Sequence, residues 1–167
     1  MAATTTAKIS SLIEKLQDSE LFAHLEHSIT FQQSTSFSWQ HHTHTVTYDP
    51  SDSQAPILLL HEVGHAILDH HDYAYDIHLI EMERAAWDKA QAIAPSLSIT
   101  IPEQTIEDAL DTYRDWLHAR SLCPRCGSTG VQDGAHNYTC LACHREWHAN
   151  EARTCQLRRY HIKKRPR

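Results

Sequence analysis

No apolar run in this chain approaches the roughly 20 residues that a membrane-spanning helix needs, so an integral helical membrane protein is excluded. The start, Met1-Ala2-Ala3-Thr4-Thr5-Thr6-Ala7-Lys8, lacks the apolar centre of a secretory signal. There is no internal repeat, and no low-complexity stretch beyond Thr4-Thr5-Thr6. A disulfide framework is missing too: the five cysteines are an odd number, and four of them fall in two C-x-x-C pairs, which is metal-ligand usage in a reducing compartment. The expected location is therefore cytoplasmic, with no membrane partner. From Arg153 to Arg167 there is no acidic residue at all, against seven Lys or Arg. That leaves 8 basic against 21 acidic side chains in residues 1–152, an acidic body with a cationic strip behind it. The 167 residues, 41% of them apolar, suit one ordinary domain, or one of about 120 residues with a small appendage.

What is present is a histidine-rich chain with one pointed motif. His61-Glu62-Val63-Gly64-His65 lies inside the apolar run Ile57 to Leu68. Two histidines four apart on a helix share a face and can reach one zinc ion, and the glutamate after the first can take a proton from a water on the metal. The tight apolar flanks imply a mostly buried helix, where three ionisable groups are costly unless something binds them.

Around the motif the pattern is mixed α and β. Apolar residues at helical spacing predict one amphipathic helix over about Thr6 to His27. Thr43 to Tyr48 alternates as a strand. Asp49-Pro50-Ser51-Asp52 is a turn, and Pro56 opens the motif helix, which is expected to run to about His70. Further helices are expected over about Tyr75 to Ala94 and about Pro102 to Arg120, the second with a core stripe of Ile106, Leu110, Tyr113 and Leu117.

A catalytic zinc needs a third protein ligand. His71 has the spacing of H-E-x-x-H-x-x-G-x-x-H enzymes, but Leu68 stands where those chains need the glycine that turns out of the helix. At about 100° per residue along the next helix, Glu83 lies about 40° from Leu79, inside the apolar stripe of Leu79, Met82, Ala86, Ala90 and Ile93. Glu81 lies near 200°, beside Arg84 and Asp88 on the solvated face. A carboxylate inside an apolar face needs a cation, which favours Glu83, with Glu81 and His71 left open. Asp69, four residues beyond His65, could orient a ligand histidine from behind. His70, His78 and the group His41, His42 and His44 read as surface histidines.

Cys123-Pro124-Arg125-Cys126 is followed after 13 residues by Cys140-Leu141-Ala142-Cys143. Two such knuckles complete a closed tetrahedral zinc site, which stabilises a fold rather than performing chemistry. Tyr138 and Trp147 are expected to pack around it; Cys155 is left over from the two pairs, with no role assigned to it. The strip from Arg153 to Arg167 could meet nucleic-acid phosphates, with Tyr160 or Trp147 to stack on bases, or could equally be a solubilising tail.

Leu58 to Leu68 followed by Glu81-Met82-Glu83-Arg84-Ala85-Ala86-Trp87 resembles the ImmA/IrrE-type zinc metallopeptidases, over roughly residues 30–95. The resemblance implies zinc on His61, His65 and Glu83, Glu62 as general base, and a helix-turn-helix repressor as protein substrate. Many members have Glu-x-Glu-Ala where this chain has Glu83-Arg84-Ala85-Ala86, so the register of the ligand glutamate stays open by two residues. The order of an H-E-x-x-H domain and then a ribbon is also similar to SprT-like proteases, which act on DNA-bound proteins and would need His71 or His78 as ligand. The expectation is an α+β protein: a mainly helical zincin-type metallopeptidase domain with a small sheet at residues 1–120, a zinc ribbon at 121–150 and a basic tail at 151–167. It would hold one catalytic and one structural Zn2+. The alternative outside enzymes is a ribbon-based nucleic-acid-binding adaptor.

Overall fold

The structure, a computed structural model, describes residues 2–150 and 156–162, with side chains from Lys8 onward. Among the described residues it is α+β, with four α-helices and two small sheets. The chain separates into two compact units, one of Met1–Asp72 with Glu81–Ile106, the other of Tyr73–Ile80 with Glu107–Arg167.

The first unit opens with α1 (Ala2–Gln17), which buries Ile9, Leu12, Ile13 and Leu16. The helix does not continue to His27 as its apolar spacing suggests. The Ser19 hydroxyl donates to the Leu16 carbonyl at 2.6 Å and meets the Leu21 N–H at 3.4 Å, closing α1 and capping a single 3₁₀ turn at Glu20–Phe22. Three short strands follow: β1 (Thr30–Gln33), β2 (Ser38–Gln40) and β3 (Thr45–Tyr48). β3 is central, parallel to β1 and antiparallel to β2. It starts two residues later than the alternation suggests, because His41–Thr43 form a 3₁₀ turn that the chain leaves through a left-handed His44. Thr45 and Thr47 of β3 are buried, and their hydroxyls are satisfied across the sheet by Thr30 and Ser38, each at 2.9 Å.

Onto β2 and β3 packs α2 (Ala55–Ile67), with Pro56 in its first turn. Leu59, Leu60, Val63 and Ala66 are fully buried. At about 1.5–3 kcal/mol for each large aliphatic side chain, this face commits α2 to the core. It also ends sooner than expected, before His70. The N–H groups of Asp69 and His70 return to the carbonyls of Ala66 (3.1 Å) and His65 (3.0 Å), and Asp69 is left-handed at φ 50°. This is a Schellman closure, with aspartate in the place usually given to glycine. The next helix, α3 (Asp76–Ile93), passes α2 at Gly64, where a Cβ would collide with the Ala86 carbonyl. Only glycine permits that approach.

The second unit holds most of α4 (Glu103–Ser121) and an antiparallel sheet of β4 (Val131–Gly134), β5 (Asn137–Thr139), β6 (Glu146–Ala149) and β7 (Arg159–His161), in that order. Tyr138 and Trp147 stack with ring centres 5.5 Å apart, both buried among Cys123, Cys140 and Ala149, as expected of them. In α4 the stripe is buried at Ile106 and Leu110, while Tyr113 and Leu117 keep some exposure. Arg120 is wholly buried: its guanidinium lies 4.5 Å over the Trp116 ring, 3.5 Å from Asp76 and 2.6 Å from His136 Nδ1. The Tyr138 hydroxyl donates to the same Asp76, and burial raises its pKa. β7 belongs to the cationic strip and pairs with β6, so that part of the strip is a sheet edge. Cys155, Arg153 and Lys163 to Arg167 lie outside the described residues.

Candidate metal centres

Two groups of side chains that could hold a metal ion occur among the described residues: His61, His65 and Glu83 in the first unit, and Cys123, Cys126, Cys140 and Cys143 in the second. In each, the donor atoms all lie within 4.8 Å of one another. No helix of the described residues is long and apolar enough to cross a membrane.

The helical group arises from two spacings. His61 and His65 stand one turn apart on the inner face of α2, and Glu83 projects from the face of α3 that Gly64 allows to come close. All three are buried, with exposures of 6%, 8% and 5%. His61 Nε2 lies 3.2 Å from both Glu83 Oε2 and His65 Nε2, and His65 Nε2 lies 3.6 Å from the same carboxylate oxygen. Donors about 2.0–2.1 Å from a tetrahedral zinc are separated by roughly 3.3 Å, so the three atoms mark one face of such a shell. Burial acts to raise the Glu83 carboxyl, but the two imidazoles outweigh it and hold the group down at about 2. Burial likewise lowers His65, and the Glu83 carboxylate outweighs that, leaving it above the ordinary histidine value.

Glu62 follows His61 on α2. Burial raises its carboxyl pKa, partly offset by His61 and His65, and the backbone N–H of Trp39 on β2 donates to Oε2 at 2.7 Å. Behind the group, the Trp87 ring stacks on His61 with centres 4.2 Å apart. Glu81 is exposed, on the face where the angular count puts it.

Around these residues several sequence expectations change. The chain does turn out of α2 in front of His71, through Asp69 instead of a glycine, yet His71 is exposed and its Nδ1 reaches only the Asp69 carbonyl, at 3.1 Å. Asp69 does not continue the face of His65. Its carboxylate points to His41, at 3.4 Å, because the left-handed residue swings it off the helix. His70 is not a free surface histidine: its Nδ1 lies 2.9 Å from His65 Nδ1, and burial, then the charge of His65, lowers its pKa to about 4. His41 and His44 are half-buried, with His44 stacked on His27 at 3.5 Å between ring centres. His42 and His78 are exposed. Trp39, His70 and Trp87 are the neighbours that sequence reasoning misses; an aspartate able to turn left-handed at the helix end was the available sign for His70.

The cysteine group is built from two near-copies of one turn. The N–H groups of Gly127 and His144 each return 2.9 Å to the carbonyls of Cys123 and Cys140. Both residues are left-handed, at φ 76° and 56°. Sulfur separations of 3.5 Å (Cys126–Cys140) and 3.6 Å (Cys123–Cys143 and Cys126–Cys143) approach the roughly 3.8 Å edge of a tetrahedron of thiolates around zinc. The backbone N–H and then the hydroxyl of Ser128 lower the Cys126 thiol to about 6, which favours the ligating thiolate. The donor set fits a soft or borderline divalent ion with no open position.

Compared with family models, with curated proteins and with solved structures, the chain matches none of them.

Proposed function

We propose that this chain is a zinc-dependent endopeptidase of the H-E-x-x-H type, with the catalytic ion on His61, His65 and Glu83, Glu62 as general base, and a second, structural zinc closing a ribbon through Cys123, Cys126, Cys140 and Cys143. The observation that carries the reading is the convergence of three buried donors from two helices onto one face of a zinc-sized shell, with a half-buried carboxyl next to them in sequence. Zinc, when bound, polarises a scissile carbonyl and brings the pKa of its water to about 7.

Everything else is done by the chain. Trp39 N–H fixes Oε2 of Glu62, so the carboxylate meets the attacking water in one orientation. A carboxyl raised by burial holds a proton well enough to return it, so Glu62 takes the proton of the water and delivers it to the leaving amine. The Trp87 ring excludes water from one side of His61. The resemblance to ImmA/IrrE-type peptidases suggests a regulatory, repressor-like protein as substrate. The four free thiols suit the reducing cytoplasm.

The test is metal content and cleavage together. Two zinc ions per chain are expected in wild type and in Glu62→Gln, while Glu62→Gln loses cleavage of a fluorogenic peptide library by about 10²–10⁴-fold. One ion per chain, held by the cysteines, overturns the reading.

A further inference from the structure

Zinc ligands are held by what stands behind them, and the two histidines here are supported differently. His61 Nδ1 is buried with no hydrogen-bond partner and its ring leans on Trp87. His65 Nδ1 faces His70 Nδ1 at 2.9 Å, with ring centres 4.9 Å apart. The geometry points to His70 as a positioning residue for the metal, an acceptor that fixes the tautomer and the ring plane of His65; this rests on the metal-site reading above.

The proton logic allows one arrangement. An ion on His65 takes the Nε2 lone pair, so a neutral His65 carries its hydrogen on Nδ1. That N–H donates to His70 Nδ1, which must be bare, so His70 keeps its own hydrogen on Nε2. His70 is itself held at both ends of its backbone: its N–H donates to the His65 carbonyl at 3.0 Å, and its carbonyl accepts the Trp39 indole N–H at 2.8 Å. The helix closure explains how a residue five positions on comes back. In a Schellman turn the residue after the left-handed position packs on the residue five before it, normally as an apolar contact. Here that pair is His70 and His65, and the left-handed residue is Asp69. A continuing helix would carry residue 70 away from this face. Through Trp39, the same strand residue holds His70 and Glu62, so the base and the ligand support share one anchor.

The experiment loads full-length protein with Co2+ and measures affinity at the His/Glu site by chelator competition, following the d–d bands of that site apart from the thiolate charge-transfer bands of the cysteine site. His70→Leu is expected to weaken the first site by about 10–100-fold with altered d–d bands, while the cysteine bands stay as they are. His70→Asn, whose amide oxygen can accept from His65, is expected to restore most of the affinity. Wild type and His70→Leu binding Co2+ equally tightly with the same bands overturns the His70 assignment alone. Wild type taking up metal only on its cysteines overturns both this and the peptidase reading. Ring ¹⁵N spectra of the zinc-loaded wild type give a check that needs no variant: a protonated Nδ1 on His65 and a bare Nδ1 on His70 are expected, and a protonated His70 Nδ1 overturns the assignment.

Discussion

The two groups of candidate metal ligands among the described residues are assembled in opposite ways. The cysteines sit on two short turns whose own backbone hydrogen bonds shape them, over a small cluster in which Tyr138 and Trp147 are the large buried side chains, with Leu157 packed against it. The histidines and Glu83 sit on long helices that would pack by their apolar faces with no metal at all. One site makes its surroundings and the other is made by them. A fold built around an ion should fail when the ion goes; a fold that presents ligands should outlast them.

The sharpest way to break that comparison is to damage each site in turn. Cys140→Ser is expected to unfold the second unit, since structural zinc contributes on the order of 10 kcal/mol or more to small metal-dependent modules. Loss of the amide dispersion of residues 122–150 in an NMR spectrum, with α1 and α2 resonances retained, would register it. Glu83→Ala is expected to empty the helical site yet leave the first unit folded, and Glu81→Ala to change neither; metal content and circular dichroism separate the three variants. If Glu83→Ala unfolded the first unit as Cys140→Ser does the second, the contrast would be wrong.

Gly64→Ala sharpens the same point from the packing side. A methyl at this position meets the Ala86 carbonyl, so α3 must move off α2 and carry Glu83 with it. Overpacking of this kind typically costs about 1–3 kcal/mol, and the displaced carboxylate should cost metal affinity as well. Thermal denaturation with and without zinc measures both. A shift in melting temperature that zinc fully restores would mean that Glu83 still reaches its place.

How much of this could be read beforehand follows from the same contrast. The cysteine knuckles are local, so the spacing of Cys123, Cys126, Cys140 and Cys143 carries nearly all of their geometry. The approach of His61, His65 and Glu83 is legible because helical period puts each on an apolar face, and a buried charge on such a face asks for a partner. The supporting residues are another matter. His70 reads as surface because apolar Ile67 and Leu68 invite the helix to continue, and its true end depends on which residue turns left-handed. β7 is invisible in a cationic strip because its pairing is decided by the distant edge of β6. α1 stops at Gln17, closed by the one hydroxyl of Ser19, which spacing does not register.

The smallest effect separates what Asp69 does with its backbone from what it does with its charge. Its left-handed conformation costs an L-residue roughly 1 kcal/mol that glycine avoids. Its carboxylate pairs with His41 at 3.4 Å, but it is about half exposed, and pairs of that kind contribute about 0–1 kcal/mol. In Asp69→Gly the two changes nearly cancel. Stability should stay within about 1 kcal/mol of wild type and the helical site should keep its metal, since the turn that returns His70 to His65 is preserved. Asp69→Val keeps neither: a β-branched residue resists the left-handed region, so the helix end must rearrange and His70 loses its position. Its metal affinity should therefore fall toward that of His70→Leu. Equal affinities for the glycine and valine variants would show that His65 stands without the turn behind it.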